Sequence, residues 1–480
     1  MRRAVRHTAL LCALLLVSLV ANAVRVQVVR SGERAGDPAD RRAAIARYGT
    51  PRGDILVGGR AVTGSRDTGE RLRYERTYTE GPLYAPVTGY ASQAYGASGL
   101  EAAEDALLSG SDEALRPLWG SRRRGARVAT TLDPAAQRAA FRGLAGRRGA
   151  VAAVEPGTGR VLALVSTPSY DPGELSGNGA GAARAWRRLN RDARRPMLNR
   201  ALRGTYPPGS TFKVVTAAAA LDAGTVRDLD APTDSPDPYR LPGTRTRLTN
   251  ETDGCRDASL RHAFLFSCNT VFARLGARTG LTTMAETARR FGFDGRARGV
   301  PLPVAPSTFD TRMDTAQLAM SSIGQFDTRA TPLQMASVAA AVADGGLVRT
   351  PYLVDGVATA DGRPVRTAGR AEPRRAMSAG TAARLRELMT GVVERGTGTG
   401  AAVPGVEVGG KTGTAQHGVD NTGAPYAWFI AWAKPRGADR PSVAVAVVVE
   451  SGKGERGEVS GNRLAAPIAR GVMGAVVRGA

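Results

Sequence analysis

The chain predicts an α+β protein in which strand-forming segments at the two ends of its larger part enclose an alanine-rich helical middle. Three observations carry this. Ala150-Val151-Ala152-Ala153-Val154 and Val161-Leu162-Ala163-Leu164-Val165-Ser166 flank the turn Glu155-Pro156-Gly157-Thr158-Gly159-Arg160, which reads as a hairpin. Val214 to Leu221, the stretch after Ser267, Met313 to Ser322, Thr331 to Ala343 and Ser378 to Glu394 are alanine-rich and turn-poor, as helices are. Val406-Glu407-Val408, Ala427 to Trp432 and Val443 to Val449 then return to strand composition, before a last helix near Leu464 to Val477. Strands at both ends of one helical stretch form a single α+β domain, assigned to residues 146–480.

Ahead of it, Arg2, Arg3 and Arg6 precede an uncharged run from Thr8 to Val24, about the minimum length that spans a bilayer. Positive flanks stay cytoplasmic, so residues 1–7 are expected as a cytoplasmic tail and 8–24 as a single-pass anchor at the cell membrane. The remainder is then extracytoplasmic. Ala21-Asn22-Ala23 also suits a signal-peptidase site, so whether the segment is retained or removed stays open. Residues 25–145, with short strand-like pieces at Asp54-Ile55-Leu56-Val57 and Val128-Ala129-Thr130-Thr131-Leu132, read as a small, extended, mixed module with little core.

The 480 residues carry a formal net charge of +23. That balance suits nucleic acid, anionic lipid or acidic polymer equally. The arginines are scattered rather than gathered on one stripe, so no nucleic-acid partner is expected. Lysine occurs only at Lys213, Lys411, Lys434 and Lys453, which makes each more informative where it stands. With Cys12 in the apolar run, Cys255 and Cys268 remain in the body; they can pair outside the cytoplasm or stay as buried thiols. No zinc-type spacing exists, and His7, His262 and His417 leave few members for a metal site or a Ser-His-Asp triad. Neither metal nor cofactor is expected.

Pro207-Pro208-Gly209 ends in a turn just before Ser210, and a good helix follows, so Ser210 is expected near a helix N-terminus, where free N–H groups favour developing negative charge. Lys213, one turn on, can face the hydroxyl and act as its general base once desolvated. A lone S-x-x-K occurs often by chance. Here Ser267-Cys268-Asn269 and Lys411-Thr412-Gly413 follow in the order of the S-x-x-K, S-x-N, K-T-G enzymes. Ser267 can relay a proton between Lys213 and the reacting nitrogen, and Asn269 can hold a substrate amide and restrain Lys213. Lys411 offers charge and Thr412 a hydroxyl to a substrate carboxylate, and Gly413 lets the strand approach the scissile bond, as Gly409 and Gly410 would. The N–H groups of Ser210 and Thr414 are the natural oxyanion hole.

With Arg52-Gly53-Asp54-Ile55, Gly99-Leu100-Glu101, Gly324-Gln325, Thr331-Pro332-Leu333-Gln334-Met335-Ala336 and Gly409 to Gln416 added, the sequence resembles the class B, monofunctional high-molecular-mass penicillin-binding proteins over nearly its whole length. The resemblance implies a penicillin-binding transpeptidase fold related to serine β-lactamases, an antiparallel sheet flanked by helices with a helical subdomain, behind a transmembrane helix and a small pedestal. It implies cross-linking of peptidoglycan stem peptides through an acyl-enzyme, covalent inhibition by β-lactams, and a SEDS-family glycan polymerase docked on the pedestal. Only about 120 residues separate the apolar run from the catalytic part, too few for a glycosyltransferase domain. Phe326-Asp327 departs from the family's glycine-rich continuation after Gly324-Gln325. A β-lactam-hydrolysing or β-lactam-sensing enzyme shares all three motifs, but no Glu-x-x-Leu-Asn lies between Asn269 and Lys411. A noncatalytic scaffold is a third reading. Gly405 to Thr412 also fits the G-x-x-x-x-G-K-T phosphate loop, which needs a strand running into a helix.

Overall fold

The structure is a computed structural model that describes residues 6–7, 10–20, 22, 47–111, 125–295, 299–416, 423–450 and 459–479. Residues 10–20 are helical with exposed apolar side chains; the rest of the expected anchor, residues 8, 9, 21, 23 and 24, lies outside the described residues. Among the described residues no helix is long and apolar enough to cross a membrane.

The first module contributes β1 (Ile55–Val57), β2 (Arg60–Ala61) and β3 (Arg127–Thr130). After α1 (Pro134–Leu144), whose start is capped by Asp133, the predicted hairpin forms as β4 (Arg148–Val154) and β5 (Val161–Thr167). The helical middle holds α2 (Lys213–Asp222), α3 (Leu260–Leu265), α4 (Asn269–Thr279), α5 (Thr315–Ser321) and α6 (Pro332–Ala343). Then come β6 (Val354–Ala358), β7 (Pro364–Thr367), α7 (Ala379–Glu394), the long strands β8 (Val406–Ala415), β9 (Tyr426–Pro435) and β10 (Val443–Glu450), and α8 (Ala466–Gly479).

The main sheet is antiparallel with order β8-β9-β10-β4-β5. Its side chains alternate between two buried layers, as a two-residue period requires. Ala150, Ala152, Ile430, Trp432, Ala446 and Val448 face the helical middle, while Val151, Ala153, Phe429, Ala431, Val445 and Val447 pack against α1 and α8 through Ala136, Leu144, Ile468 and Val472. A sheet covered on both faces reads as continuous apolar runs, which is how these segments look in the sequence. Within the helical layer, α2 is buried along its whole length to Leu221, and the small residues of Ala217-Ala218-Ala219-Ala220 let neighbours close on every side.

The first module has a core, contrary to the sequence expectation. Ile55, Val57, Leu83, Val87, Leu100, Leu108 and Val128 are buried in the same cluster as the catalytic part. Its sheet, order β7-β6-β3-β1-β2, draws β6 and β7 from residues 354–367, so the chain returns to complete it. Short elements hide this in sequence, because each contributes one or two apolar side chains and none has a recognisable period. A buried ion network adds to it. Glu101, wholly buried, accepts from Arg52 Nε at 3.1 Å and from Arg76 Nε at 2.5 Å, and Arg52 Nη1 reaches Asp105 Oδ1 at 2.8 Å. Arg52-Gly53-Asp54-Ile55 and Gly99-Leu100-Glu101 are thus two ends of one contact.

Removing one member of a buried network leaves the others charged and unpaired, so Glu101→Gln should destabilise the chain by about 3–5 kcal/mol. Urea unfolding followed by circular dichroism checks this; an unchanged midpoint would contradict a structural role for the network.

Candidate active site

Ser210 lies in a 3₁₀ turn, Gly209–Phe212, that leads straight into α2, so the serine precedes a helix whose first residue is Lys213. Three contacts pin this turn. Trp428 Nε1 donates to Pro207 O at 3.1 Å, Thr211 Oγ1 donates to Pro208 O at 2.7 Å, and Gly209 N donates to Gly324 O at 3.0 Å. Gly209 (φ +53°) and Gly324 (φ +73°) both need the left-handed backbone, and a Cβ on Gly324 would lie 2.1 Å from Gly209 O. Gly324-Gln325 is therefore the back support of the serine turn.

Lys213 and Lys411 are both fully buried, and they meet at Ser267. Lys213 Nζ donates to Ser267 O at 2.7 Å and Asn269 Oδ1 at 2.8 Å, with Ser267 Oγ at 3.3 Å; Lys411 Nζ lies 2.9 Å from the same Oγ. Phe272 and Phe264 sit over the two amines at 5.4 and 5.9 Å. Burial pushes the Lys213 amine well below the usual lysine range, helped by the charge of Lys411 and opposed by Glu251. Lys411 is pushed down by burial to about 7, again opposed by Glu251. Lys213 thus gives up its proton first and Lys411 keeps one. No hydrogen bond joins Ser210 to Lys213 among the described residues.

Ser267 itself has φ +62°, a left-handed backbone uncommon for a residue with a Cβ. The surroundings hold it there. Asn250 Oδ1 accepts from Asn269 N at 2.6 Å and Thr270 N at 3.1 Å, taking over the first free donors of α4 from outside the helix. Cys255 and Cys268 form a disulfide, which settles their open pairing and ties the 249–255 loop to the serine motif.

Lys411, Thr412, Gly413 and Thr414 lie inside β8, which runs unbroken to Ala415 rather than ending at Val408. The phosphate-loop reading fails on this point, because Lys411 and Thr412 lie within the strand rather than at a helix start, and Lys411 points into a buried lysine pair. Gly409 and Gly410 do not admit substrate, as the sequence suggested. A Cβ there would come within 2.5 Å of the Trp432 indole and the Phe429 ring, so they make room for aromatic side chains across the β8–β9 pair. At Gly413 the close approach is to the serine turn, with Pro208 O and Thr211 Cγ2 each 3.0 Å from a Cβ.

Part of this constellation borders a cavity of about 650 Å³. Its walls include Ser210, Ser267, Asn269, Thr412, Gly413 and Thr414, with Phe326 of the departing Phe326-Asp327 pair, and also Glu251, Thr397 and Asn462, which sequence reasoning did not single out. Thr397 pairs with Thr412 through their hydroxyls at 2.7 Å. Only a signal from outside the three motifs could have found them. His262 packs on Phe266 and does not line the cavity, and His417 lies outside the described residues.

A buried lysine pair around a serine, beside a second serine at a helix start and one edge of a five-stranded sheet, defines the class of active-site serine acyltransferases that react with penicillins. The chain belongs to the penicillin-binding protein transpeptidase family: the penicillin binding protein transpeptidase domain matches residues 149–474, and the penicillin binding protein A dimerisation domain matches 52–125. It is 43% identical to the peptidoglycan D,D-transpeptidase PbpA of Mycobacterium tuberculosis over the full length of both chains, and 43% identical to that of Mycolicibacterium smegmatis over all of this chain and 99% of the relative. The ceftriaxone acyl-enzyme complex of M. tuberculosis penicillin-binding protein A superposes with a TM-score of 0.83, at 42% identity over 90% of this chain and 100% of that one.

Gly324→Ala should slow covalent labelling by penicillin roughly a hundredfold, since a displacement near 1 Å of a nucleophile costs about that much. Labelling rate against retained circular dichroism checks it; normal labelling would show that the turn does not need this support.

Proposed function

We infer that this chain is a peptidoglycan D,D-transpeptidase that cross-links stem peptides through an acyl-enzyme on Ser210 and is blocked by β-lactams. The observation that carries this is that Ser210, Ser267 and Asn269 line one cavity while the buried amines of Lys213 and Lys411, from separate chain segments, bracket Ser267 Oγ.

Neutral Lys213 takes the Ser210 proton as Oγ attacks the carbonyl carbon of the penultimate D-alanine. The N–H groups of Ser210 and Thr414 receive the oxyanion. The C–N bond then breaks, and D-alanine leaves with the proton that Lys213 held, passed on through Ser267 Oγ. Asn269 fixes Lys213 and a substrate amide. Lys411, still charged, binds the terminal carboxylate with Thr412, whose hydroxyl is oriented by Thr397. Gly413 lets β8 lie against the serine turn. An amine of a neighbouring stem attacks the ester, the C–N bond forms as C–Oγ breaks, and Ser210 regains its proton. A β-lactam acylates the same oxygen but keeps its leaving group attached, which blocks the amine.

The uncharged run at residues 8–24 supports reading the chain as a single-pass protein of the cell membrane, with residues 146–480 as the extracytoplasmic transpeptidase domain. The Cys255–Cys268 disulfide suits that oxidising side. The pedestal, residues 25–145, is the docking face for a membrane-embedded SEDS-family glycan polymerase, a partner that rests on family resemblance.

The pH profile of acylation tests the division of labour between the lysines. Lys213 works unprotonated, so the second-order rate with benzylpenicillin should fall as the pH drops through its lowered pKa. Lys411 works protonated, so the rate should fall again above about pH 7. The methyl ester of benzylpenicillin lacks the carboxylate and should lose only the alkaline limb. Identical profiles for acid and ester would contradict the assignment of Lys411.

A further inference from the structure

We propose that Glu251 forms the acceptor subsite of this active site, binding the ammonium of the incoming amine and holding it on the open side of the acyl-enzyme. The proposal rests on the transpeptidase reading above and adds the part of the reaction that the three motifs leave unassigned.

The donor half of the cavity is accounted for. Thr412, Thr397 and the buried Lys411 stand where a carboxylate is received, and Lys213 and Ser267 stand at the bond that breaks. All the charge there is positive. Glu251 is the one acidic residue on the cavity wall among the described residues, and it is exposed, with no hydrogen bond or ion pair to another side chain. A solvent-facing carboxylate on a cavity wall attracts a cation. The second substrate of the reaction is a primary amine, which in water carries that charge.

Its placement is fixed rather than incidental. Glu251 follows Asn250, whose Oδ1 takes the N–H groups of Asn269 and Thr270, and it precedes Thr252, whose hydroxyl donates to Phe266 O at 3.4 Å. The disulfide at Cys255 closes the same loop onto Cys268, between Ser267 and Asn269. Glu251 is thus carried on a loop fastened at three points to the S-x-N segment. It lines the same cavity as Ser210, and its charge acts on both Lys213 and Lys411.

The step balances as follows. The acceptor arrives as R–NH₃⁺, pairs with the carboxylate, and releases one proton to solvent. The neutral nitrogen attacks the acyl carbon and passes its second proton to Lys213. The C–Oγ bond breaks, and that proton goes to Ser210 Oγ. Glu251 binds and positions the amine and is unchanged at the end.

The test is the ratio of aminolysis to hydrolysis of one acyl-enzyme, formed on the full-length chain from an N-acyl-D-alanyl thioester. Glycinamide serves as a cationic acceptor and hydroxylamine as one that is uncharged at neutral pH. In Glu251→Gln the ratio for glycinamide should fall about tenfold, the weight of one charge contact in a partly solvated cleft, while the ratio for hydroxylamine stays within about twofold. Glu251→Asp should recover part of the loss. An unchanged glycinamide ratio, or an equal fall for both acceptors, would overturn the proposal. Failure of the unsubstituted chain to form any acyl-enzyme would instead sink the transpeptidase reading beneath it.

Discussion

Two lysine amines buried around one serine hydroxyl are the constraint on which this structure turns. Neither amine can be charged at the same cost as in water, and both cannot be charged together without strong repulsion, so the pair settles on one proton shared unequally. The division follows from position. Burial lowers both amines, and Lys213 carries in addition the like charge of Lys411, so it is the one that gives way. A base and a cation are thereby made from the same residue type a few ångströms apart, with Ser267 Oγ between them.

Much of the fold can be understood as what keeps that arrangement in place. The all-buried α2 carries Lys213 into the interior, where its helix axis is packed on every side and cannot shift to let water in. β8 delivers Lys411 from the edge of a sheet whose both faces are covered, and Gly413 lets that strand touch the serine turn. Ser267 is held in a left-handed backbone by a loop that supplies Asn250 and a disulfide. Such strain persists only where the neighbours over-determine it, and it gathers at sites that do chemistry. The same loop that holds the serine presents Glu251 to the cavity, so the donor and acceptor halves of the site share one support.

The sequence was most informative where pattern is local. The hairpin at 148–167, the helices α2, α4, α5, α6 and α7 and the last strands all appeared as composition and spacing, and S-x-x-K, S-x-N and K-T-G named the residues that meet in space. It was least informative where a contact joins distant segments. Gly409 and Gly410 look like the end of a strand, since glycine weakens one, yet β8 passes through them because Trp432 and Phe429 fill the space their missing side chains leave. Thr397, Asn250 and Glu251 carry no local signature. Each is an ordinary loop residue until the chain brings it to Thr412, Asn269 or the cavity. The core of the first module was hidden in the same way, because β6 and β7, which complete its sheet, come from more than 200 residues later in the chain.

The most direct measurement of the central claim is intact-mass analysis after exposure to benzylpenicillin, followed by peptide mapping of the adduct. The account predicts one penicilloyl group per chain, on the peptide that carries Ser210, and none in Ser210→Ala. An adduct on any other residue, or one that persists in Ser210→Ala, would contradict it.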